Sequence, residues 1–234
     1  MERIEAVLFD KDGTLFDFQA TWAAWCGALL RDLAAGDDHL FAVMAEDVGF
    51  EIASGRLRPG SIVVADTPDA IAGLLLRRLA DWSRPDLIEH MNARAARAPQ
   101  VQITPLAPLL DGLRARGLVF GLVTNDAERP ARAHLEAAGI LGQFTYVAGF
   151  DSGHGAKPDA GPLLAFGAAT GIPPARTVMV GDSLHDMIAA RRAGMIAVAV
   201  DSGMTSRADL ARHADAVLDG VAALPAWLDQ RAAR

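Results

Sequence analysis

The segment FDKDGTL, close to the start of the chain, is the feature that most constrains its fold. The apolar residues AVLF just before Asp10 include several strand formers, so we predict a buried strand that ends at this aspartate. Side-chain alternation places Asp10 and Asp12 on one side of the strand end and Lys11 on the other. Gly13 then allows a sharp turn of the backbone. Two carboxylates therefore leave a hydrophobic sheet edge together, which is typical of a functional site.

The residues that follow this segment argue against its simplest alternative, a solvated Asp-Gly turn that closes a hairpin. A hairpin needs a second strand directly after the turn. Helical spacing begins instead near Phe18 and continues through Trp22 and Trp25, with little sign of strand further on. We therefore predict a helical insert at residues 16–99, whose tryptophans pack in a core rather than form a ligand site.

After Pro105, helices and strands alternate regularly. The pattern predicts strands at residues 118–123, 144–148, 177–180, 195–200 and 216–218, separated by helices that mostly stop at a glycine. Continuously apolar strands between helices indicate a parallel sheet that is covered on both faces. We therefore predict an α/β fold: a doubly wound parallel sheet built from residues 1–15 and 100–234, with the helical segment inserted as a cap domain.

Composition excludes several classes of function. Of the 234 residues 51% are hydrophobic and 22% are charged, as expected of a folded globular protein. A net charge of -7 without a basic stripe argues against a nucleic-acid partner. No apolar run approaches the ~18 residues of a membrane helix, and no signal-peptide pattern opens the chain. The single cysteine, Cys26, cannot form an internal disulfide. We expect a cytoplasmic protein without nucleic-acid or membrane partners, either a monomer or a homodimer.

Polar residues follow the predicted strands at the edge where parallel α/β sheets bind their ligands. These residues are Asp10 and Asp12 after the first strand, Thr124 and Asn125 after the second, Lys157 after the third, and Asp182 with Asp186 after the fourth. Each alone has a plain explanation, as a helix cap, a first-turn acid or a solvated charge. Their joint position at the strand ends indicates one shared site.

The charge of this group indicates a metal ion and a phosphate. Two carboxylates about 4 Å apart repel by roughly 4 kcal/mol at an effective dielectric of 20, and Lys157 alone cannot offset four of them. Oxygen ligands select a hard divalent cation, so we predict Mg²⁺ as the cofactor. A phosphoryl group needs hydrogen-bond donors as well. The candidates are the Thr124 hydroxyl, the Asn125 backbone amide, the turn at Gly13 and the Lys157 ammonium.

On these residues the chain resembles the haloacid dehalogenase (HAD) superfamily, and within it the phosphoglycolate-phosphatase-like group with a helical cap. FDKDGTL is similar to the first motif of that family, Thr124-Asn125 to the second, Lys157-Pro158 to the third and GDSLHDM to the fourth. The resemblance covers the sheet domain, whereas the cap matches only in position and helical character. Lys11 stands where the family usually has an apolar residue. Because it is predicted to point away from Asp10, we expect it not to alter the chemistry.

The resemblance implies a magnesium-dependent phosphomonoester hydrolase that acts on a small phosphorylated metabolite, phosphoglycolate among the candidates. Asp10 would attack phosphorus and form an aspartyl-phosphate, and Asp12 would protonate the leaving oxygen and then deprotonate water. Lys157 and Thr124 would hold the phosphoryl oxygens and orient Asp10. The implied magnesium ligands are the Asp10 carboxylate, the Asp12 backbone carbonyl, Asp182, and Asp186 directly or through water.

Alternatives within and outside the family differ in how well they fit. A halide-removing relative lacks the second acid, so Asp12 argues against it, and a phosphonate-cleaving relative needs a cap lysine, which residues 16–99 do not contain. A sugar-phosphate mutase keeps both acids and is distinguished only by its products. A binding or regulatory module with a relic site is disfavoured by the complete set of acids. An acyl hydrolase fails because GDSLH has no closing glycine.

Selectivity is left to the cap, because the sheet domain reads only the phosphate. Arg56 and Arg58 lie on a turn-rich connection, and alternation would direct both guanidinium groups to the same side. A bidentate arginine suits a carboxylated leaving group. We therefore predict that these arginines read the leaving group, against the alternative that both are solvated surface charges.

Overall fold

The computed structural model describes residues 3–233, with every side chain in that range except that of Ala65. The strands are β1 (Ala6–Phe9), β2 (Phe50–Glu51), β3 (Arg56–Leu57), β4 (Val119–Val123), β5 (Tyr146–Ala148), β6 (Thr177–Gly181), β7 (Ile196–Val200) and β8 (Ala216–Leu218). The helices are α1 (Phe18–Ala34), α2 (Asp38–Val48), α3 (Ile62–Ala65), α4 (Pro68–Leu75), α5 (Arg84–Ala95), α6 (Leu106–Arg114), α7 (Glu128–Ala137), α8 (Gly161–Thr170), α9 (Leu184–Ala193), α10 (Arg207–Ala211) and α11 (Leu224–Ala232).

Six strands form one parallel sheet in the order β5-β4-β1-β6-β7-β8. The first strand therefore lies in the middle, paired with β4 on one side and β6 on the other. All of its side chains are buried, as its apolar sequence predicts. Because parallel strands end at the same edge, the segments after β1, β4 and β6 are neighbours.

Helices cover both faces of this sheet, so the predicted doubly wound fold is confirmed. On one face Val7 and Phe9 of β1 pack in a cluster with leucines of α6, α7 and α11. On the other face Ala6 and Leu8 pack with Phe166 of α8 and with side chains of α9 and α10. The alternation of β1 thus divides its side chains between two hydrophobic layers.

The inserted segment has a hydrophobic cluster of its own, built from the buried side chains of α1 to α5 with Phe50 and Leu57. It is not entirely helical, since β2 and β3 form a short antiparallel pair in which Phe50 faces Leu57. Gln19 of α1 fastens this pair by accepting from the Leu57 N–H at 3.1 Å and donating to its carbonyl at 2.7 Å. Strands of two residues are too short to show an alternation pattern in the sequence.

The chain crosses between sheet and insert twice, and the two crossings lie side by side. The Asp17 N–H donates to the Val101 carbonyl at 2.8 Å, and the Ile103 N–H donates to the Leu15 carbonyl at 3.0 Å. The first crossing comes directly after the turn at Asp12, so the insert lies next to the strand ends that carry the polar residues. Within residues 3–233, no helix is long and apolar enough to cross a membrane.

Candidate active site

The predicted site residues meet at the carboxyl edge of the sheet. A cavity between the sheet edge and the insert has an empty volume of about 820 Å³ including its open mouth. From the sheet domain it is lined by Asp10, Asp12, Thr124, Asn125, Asp126, Lys157, Asp182, Ser183, His185 and Thr205. Asp186 is fully buried beneath this layer. The structure thus brings together residues from four separate strand ends.

Lys157 occupies the centre of the charged group. Its ammonium donates to Asp10 Oδ1 and to Asp186 Oδ1, both at 2.6 Å, and to the Val123 carbonyl at 2.9 Å. Burial alone would lower the pKa of Lys157, but Asp10 and Asp186 outweigh it and raise that pKa above its ordinary value. The Asn125 side chain accepts from the Lys157 N–H and donates to its carbonyl, both at 2.9 Å. Asn125 therefore fixes the loop that positions the positively charged Lys157 side chain.

Three carboxylates next to Lys157 are suited to a divalent cation. Oxygen atoms of Asp10, Asp182 and Asp186 all lie within 4.8 Å of one another, and all three residues are buried. Burial and the neighbouring acids raise the pKa of Asp10 to about 7, and they raise the pKa of Asp182 well above its ordinary value. Three buried carboxylates this close together are unfavourable without a positive charge between them, and they offer only oxygen ligands. Both properties fit Mg²⁺. The Asp12 carboxylate is not part of this cluster.

Glycines let the backbone close tightly around Asp182. Gly13 has a φ of +85°, and a Cβ there would lie 2.5 Å from the Asp182 carboxyl group. A Cβ on Gly203, in the loop after β7, would lie 1.7 Å from Asp182 Oδ2. The predicted role of Gly13 as a turn residue agrees with this geometry. Gly203 was not predicted, because no local pattern connects it with a strand end so far back in the chain.

Two hydroxyl groups that the sequence did not single out also support the cluster. Ser183 caps α9 and forms a capping box with Asp186, whose Oδ2 accepts from the Ser183 N–H at 3.0 Å and from its hydroxyl at 2.6 Å. Thr14 donates to Asp182 Oδ1 at 3.3 Å. Asp186 therefore combines the expected position in the first turn of α9 with a place in the carboxylate cluster. The three-residue spacing between Ser183 and Asp186 is the sequence signal that could have revealed this cap.

Thr124 and the neighbouring Asp126 form the turn after β4. The Thr124 side chain is buried, and its hydroxyl oxygen accepts from the Asp126 N–H at 3.1 Å. Asp126 Oδ1 accepts from the Ala127 N–H at 2.8 Å just before α7. This turn holds the Thr124 hydroxyl at the wall of the cavity.

Lys11 was expected not to alter the chemistry because it points away from Asp10, and the structure adds contacts that this expectation did not include. Lys11 does point away from Asp10, but its fully buried ammonium lies 3.0 Å from Asp12 Oδ2. It also donates to Asp126 Oδ2 and to His134 Nδ1, both at 2.9 Å. Burial by itself would lower the pKa of Lys11, whereas Asp12 and Asp126 raise it, and the net shift is upward. A strand-end lysine has room to curl back to the next residue, which the alternation rule does not consider.

The Lys11 group extends from the sheet domain into the insert. Since an ammonium only donates, His134 Nδ1 must accept from Lys11, and the Nε2–H group donates to the Ala95 carbonyl of α5 at 2.7 Å. Burial and the nearby Lys11 lower the pKa of His134 to about 4, so the ring is neutral near pH 7. The Lys11 ammonium also lies 5.1 Å from the ring centre of Trp22 in α1. Lys11 therefore connects Asp12 with His134 of the sheet domain and with Trp22 of the insert.

Arg56 and Arg58 are not brought to the cavity. Arg56 is exposed, and Arg58 forms an exposed ion pair with Glu46 at 2.7 Å. Leu57 between them is buried in the hydrophobic cluster of the insert. The side of β3 that carries Leu57 faces the core of the insert, so the arginines point outward. The prediction that they contact the leaving group therefore disagrees with their position.

Comparison with known proteins gives a consistent result. Residues 4–194 match the family model of haloacid dehalogenase-like hydrolases. Phosphoglycolate phosphatase of Rhodospirillum rubrum is 31% identical over 96% of this chain and 90% of its own length. N-acetylmuramic acid 6-phosphate phosphatase of Pseudomonas putida is 30% identical over 93% and 92%. The crystal structure of CbbY from Rhodobacter sphaeroides in complex with phosphate superposes with a TM-score of 0.72, at 21% identity over 97% of this chain and 99% of that chain.

The parallel sheet and the acid–lysine group at its carboxyl edge agree with the family match. With the matches above, the chain belongs to the haloacid dehalogenase-like hydrolases, and it is a phosphatase. The relatives carry names with different leaving groups, so the likeness establishes the class of reaction and not the substrate.

Magnesium is expected to raise the melting temperature more at high pH than at low pH. The pKa of Asp10 is raised from 3.8 to about 7 on folding, so the folded state holds a proton that the unfolded state loses between these values. Stability without metal therefore falls as the pH rises through this window, and a cation that binds ionised carboxylates restores it. Thermal denaturation at about pH 5 and about pH 8, with and without saturating Mg²⁺, measures the effect. Asp182→Asn should reduce the shift at about pH 8, and an equal shift at both pH values would contradict the account.

Lys11→Met is expected to destabilise the fold by about 3–5 kcal/mol, because it leaves the carboxylates of Asp12 and Asp126 without their buried counter-ion. Urea denaturation of the metal-free protein measures the free energy of unfolding. Arg58→Met is the matched control, since it removes an exposed ion pair that contributes little. If both variants keep the stability of the wild type, the buried contacts of Lys11 with Asp12 and Asp126 do not stabilise the fold.

Proposed function

We propose that this phosphatase is a magnesium-dependent phosphomonoester hydrolase that acts through an aspartyl-phosphate on a small phosphorylated metabolite. The observation that carries the proposal is the position of Asp10: a buried carboxylate at the central strand end, fastened by Lys157 at 2.6 Å and beside Asp182 and Asp186. A carboxylate held there by one oxygen is a nucleophile with its other oxygen available. Relatives that are named as phosphatases support this assignment.

The attack is carried out by Asp10. Its Oδ1 atom is occupied by the Lys157 ammonium, so Oδ2 forms the bond to phosphorus while the bond from phosphorus to the leaving oxygen breaks. Lys157 keeps Asp10 oriented and stays charged, because two carboxylates raise its pKa. The positive charge also reduces the repulsion between the carboxylate and an incoming phosphate dianion.

Proton transfer is assigned to Asp12. It lines the cavity near Asp10, and Lys11 fixes its Oδ2 atom at 3.0 Å. Its Oδ1 atom has no hydrogen-bond partner among the described residues, which leaves that oxygen for the substrate. Asp12 delivers a proton to the leaving oxygen in the first step and removes one from the attacking water in the second.

The remaining groups bind the phosphoryl oxygens and the cofactor. The proposed phosphate donors are the Thr124 hydroxyl, the Asn125 backbone amide and the turn at Gly13. Lys157 attracts the phosphoryl oxygens through its charge, because its three N–H groups already donate to Asp10, Asp186 and the Val123 carbonyl. The Asp10, Asp182 and Asp186 carboxylates, with the Asp12 backbone carbonyl, would hold Mg²⁺. Bound there, the cation supplies positive charge that offsets the carboxylates and the phosphoryl oxygens. On the likeness to the Rhodospirillum relative, phosphoglycolate is one candidate substrate.

Asp10→Asn is expected to abolish phosphate release, because an amide is not a nucleophile, whereas Asp12→Asn lowers kcat by about 10²–10⁴ through the loss of proton transfer. Hydrolysis of p-nitrophenyl phosphate with magnesium measures the first effect. An alkyl phosphate, whose alkoxide leaves poorly without a proton, shows the second most clearly. Removal of magnesium by a chelator should stop both reactions. Full activity of Asp10→Asn, or activity that survives chelation, would contradict the proposal.

A further inference from the structure

The insert side of the cavity is apolar and carries no positive charge. The described side chains that line it come from α1, α3, α4 and α5 and the turn before α4: Phe18, Trp22, Trp25, Val63, Val64, Asp66, Pro68, Ile71, Met91, Asn92 and Ala95. Asp66 is the one ionisable side chain of this set, and it is acidic. A leaving group has to lie against this wall once its phosphate is bound at the strand ends.

The cations nearest to the cavity are already committed. Lys157 is the only lysine or arginine among the described lining residues, and it binds the carboxylates of Asp10 and Asp186. Lys11, whose ammonium lies 5.1 Å from the Trp22 ring centre, binds the carboxylates of Asp12 and Asp126. The arginines of β3 are exposed on the outer side of the insert. A carboxylate on the leaving group would therefore lose its hydration without gaining a partner of opposite charge, and it would face Asp66 as well.

The same wall holds polar atoms that lack partners. The indole N–H groups of Trp22 and Trp25 and the Asn92 side-chain oxygen are buried, and none of them has a hydrogen-bond partner among residues 3–233. Trp22 and Trp25 pack in the insert core, as predicted, but they also line the cavity, which the prediction against a ligand site did not include. They are 7% and 8% exposed, so neither indole is solvated from outside. Their rings meet edge to face with centres 5.1 Å apart. Buried donors and acceptors without partners are unfavourable until something satisfies them.

A ligand that matches this wall has apolar C–H surface for the rings and hydroxyl groups for the unpaired atoms. A hydroxyl can accept from an indole N–H and donate to the Asn92 oxygen, whereas a carboxylate only accepts. We propose that this enzyme acts on phosphomonoesters whose leaving groups are uncharged and hydroxylated, of the sugar or polyol class, and that Trp22, Trp25 and Asn92 select these leaving groups. This inference rests on the proposed function.

The charge part of the proposal is tested on the wild-type enzyme with a matched pair of esters. Phosphoglycolate and 2-hydroxyethyl phosphate have the same chain length and differ in a carboxylate against a hydroxymethyl group. With saturating magnesium, kcat/KM is expected to be at least about tenfold higher for 2-hydroxyethyl phosphate, because burying an unpaired carboxylate is costly. Glucose 6-phosphate is expected to exceed both. A kcat/KM for phosphoglycolate equal to or above that of 2-hydroxyethyl phosphate overturns the proposal.

p-Nitrophenyl phosphate separates this failure from failure of the proposed function. If the enzyme hydrolyses it but prefers phosphoglycolate, the phosphatase assignment stands and the inference about the leaving group is wrong. If no ester of the set releases phosphate with magnesium present, the proposed function itself is wrong, and the inference falls with it.

The hydrogen-bond part is tested with Trp25→Phe, which keeps an aromatic ring and removes the N–H group. The ratio of kcat/KM for glucose 6-phosphate to that for p-nitrophenyl phosphate is expected to fall by about 3- to 10-fold, the range for loss of one hydrogen bond. Trp82→Phe is the matched control, since Trp82 packs on the insert core but does not line the cavity. An unchanged ratio in Trp25→Phe, or an equal fall in the control, overturns this part.

Asn92→Lys tests the cause of the discrimination in the opposite direction. It places an ammonium on a wall that carries none, so the ratio of kcat/KM for phosphoglycolate to that for 2-hydroxyethyl phosphate is expected to rise about tenfold. A folded variant with the wild-type ratio would show that charge at this wall does not decide between the two esters.

Discussion

The structure depends on the compensation of buried negative charge where β1, β4 and β6 end. Asp10, Asp182 and Asp186 lie within one small volume, and Asp12 and Asp126 lie just beside it. The sequence contains two lysines among its 22 basic residues, and both of them, Lys11 and Lys157, are buried in this region. Each binds two carboxylates, so the lysines divide the acids into a group around Lys157 and a group around Lys11. The negative charge left over around Asp10 is the reason for placing a divalent cation there in the proposed function.

The two groups have different relations to the insert. Lys157 is held entirely by the sheet domain, through Asn125 and the Val123 carbonyl. Lys11 contacts His134, which in turn donates to Ala95 of the insert. In the proposed mechanism the nucleophile Asp10 is therefore fixed on the sheet edge. The proton-transfer residue Asp12 is instead linked to the insert through Lys11 and His134. This division suits a family in which one reaction serves many esters.

Much of the fold could be predicted because its signals are local. The strand β8 has the predicted boundaries, and the other strands predicted after Pro105 differ by one or two residues at their ends. The strand-end acids were found since the apolar run before Asp10 ends abruptly. The features that the sequence analysis missed depend on contacts between residues distant in sequence. They are the contacts of Lys11 with Asp126 and His134, the close approach of Gly203 to Asp182, and the exposed position of Arg56. The sequence does not say which side of a two-residue strand such as β3 faces the core.

The central claim is that Asp10 becomes phosphorylated during turnover. The most direct measurement is to quench the enzyme with acid while it hydrolyses p-nitrophenyl phosphate with magnesium, reduce the acyl phosphate with borohydride, and locate the reduced residue by mass spectrometry. The account predicts reduction at Asp10 that requires both substrate and magnesium and is absent in Asp10→Asn. Sustained turnover with an unmodified Asp10, or modification of another carboxylate instead, would contradict it.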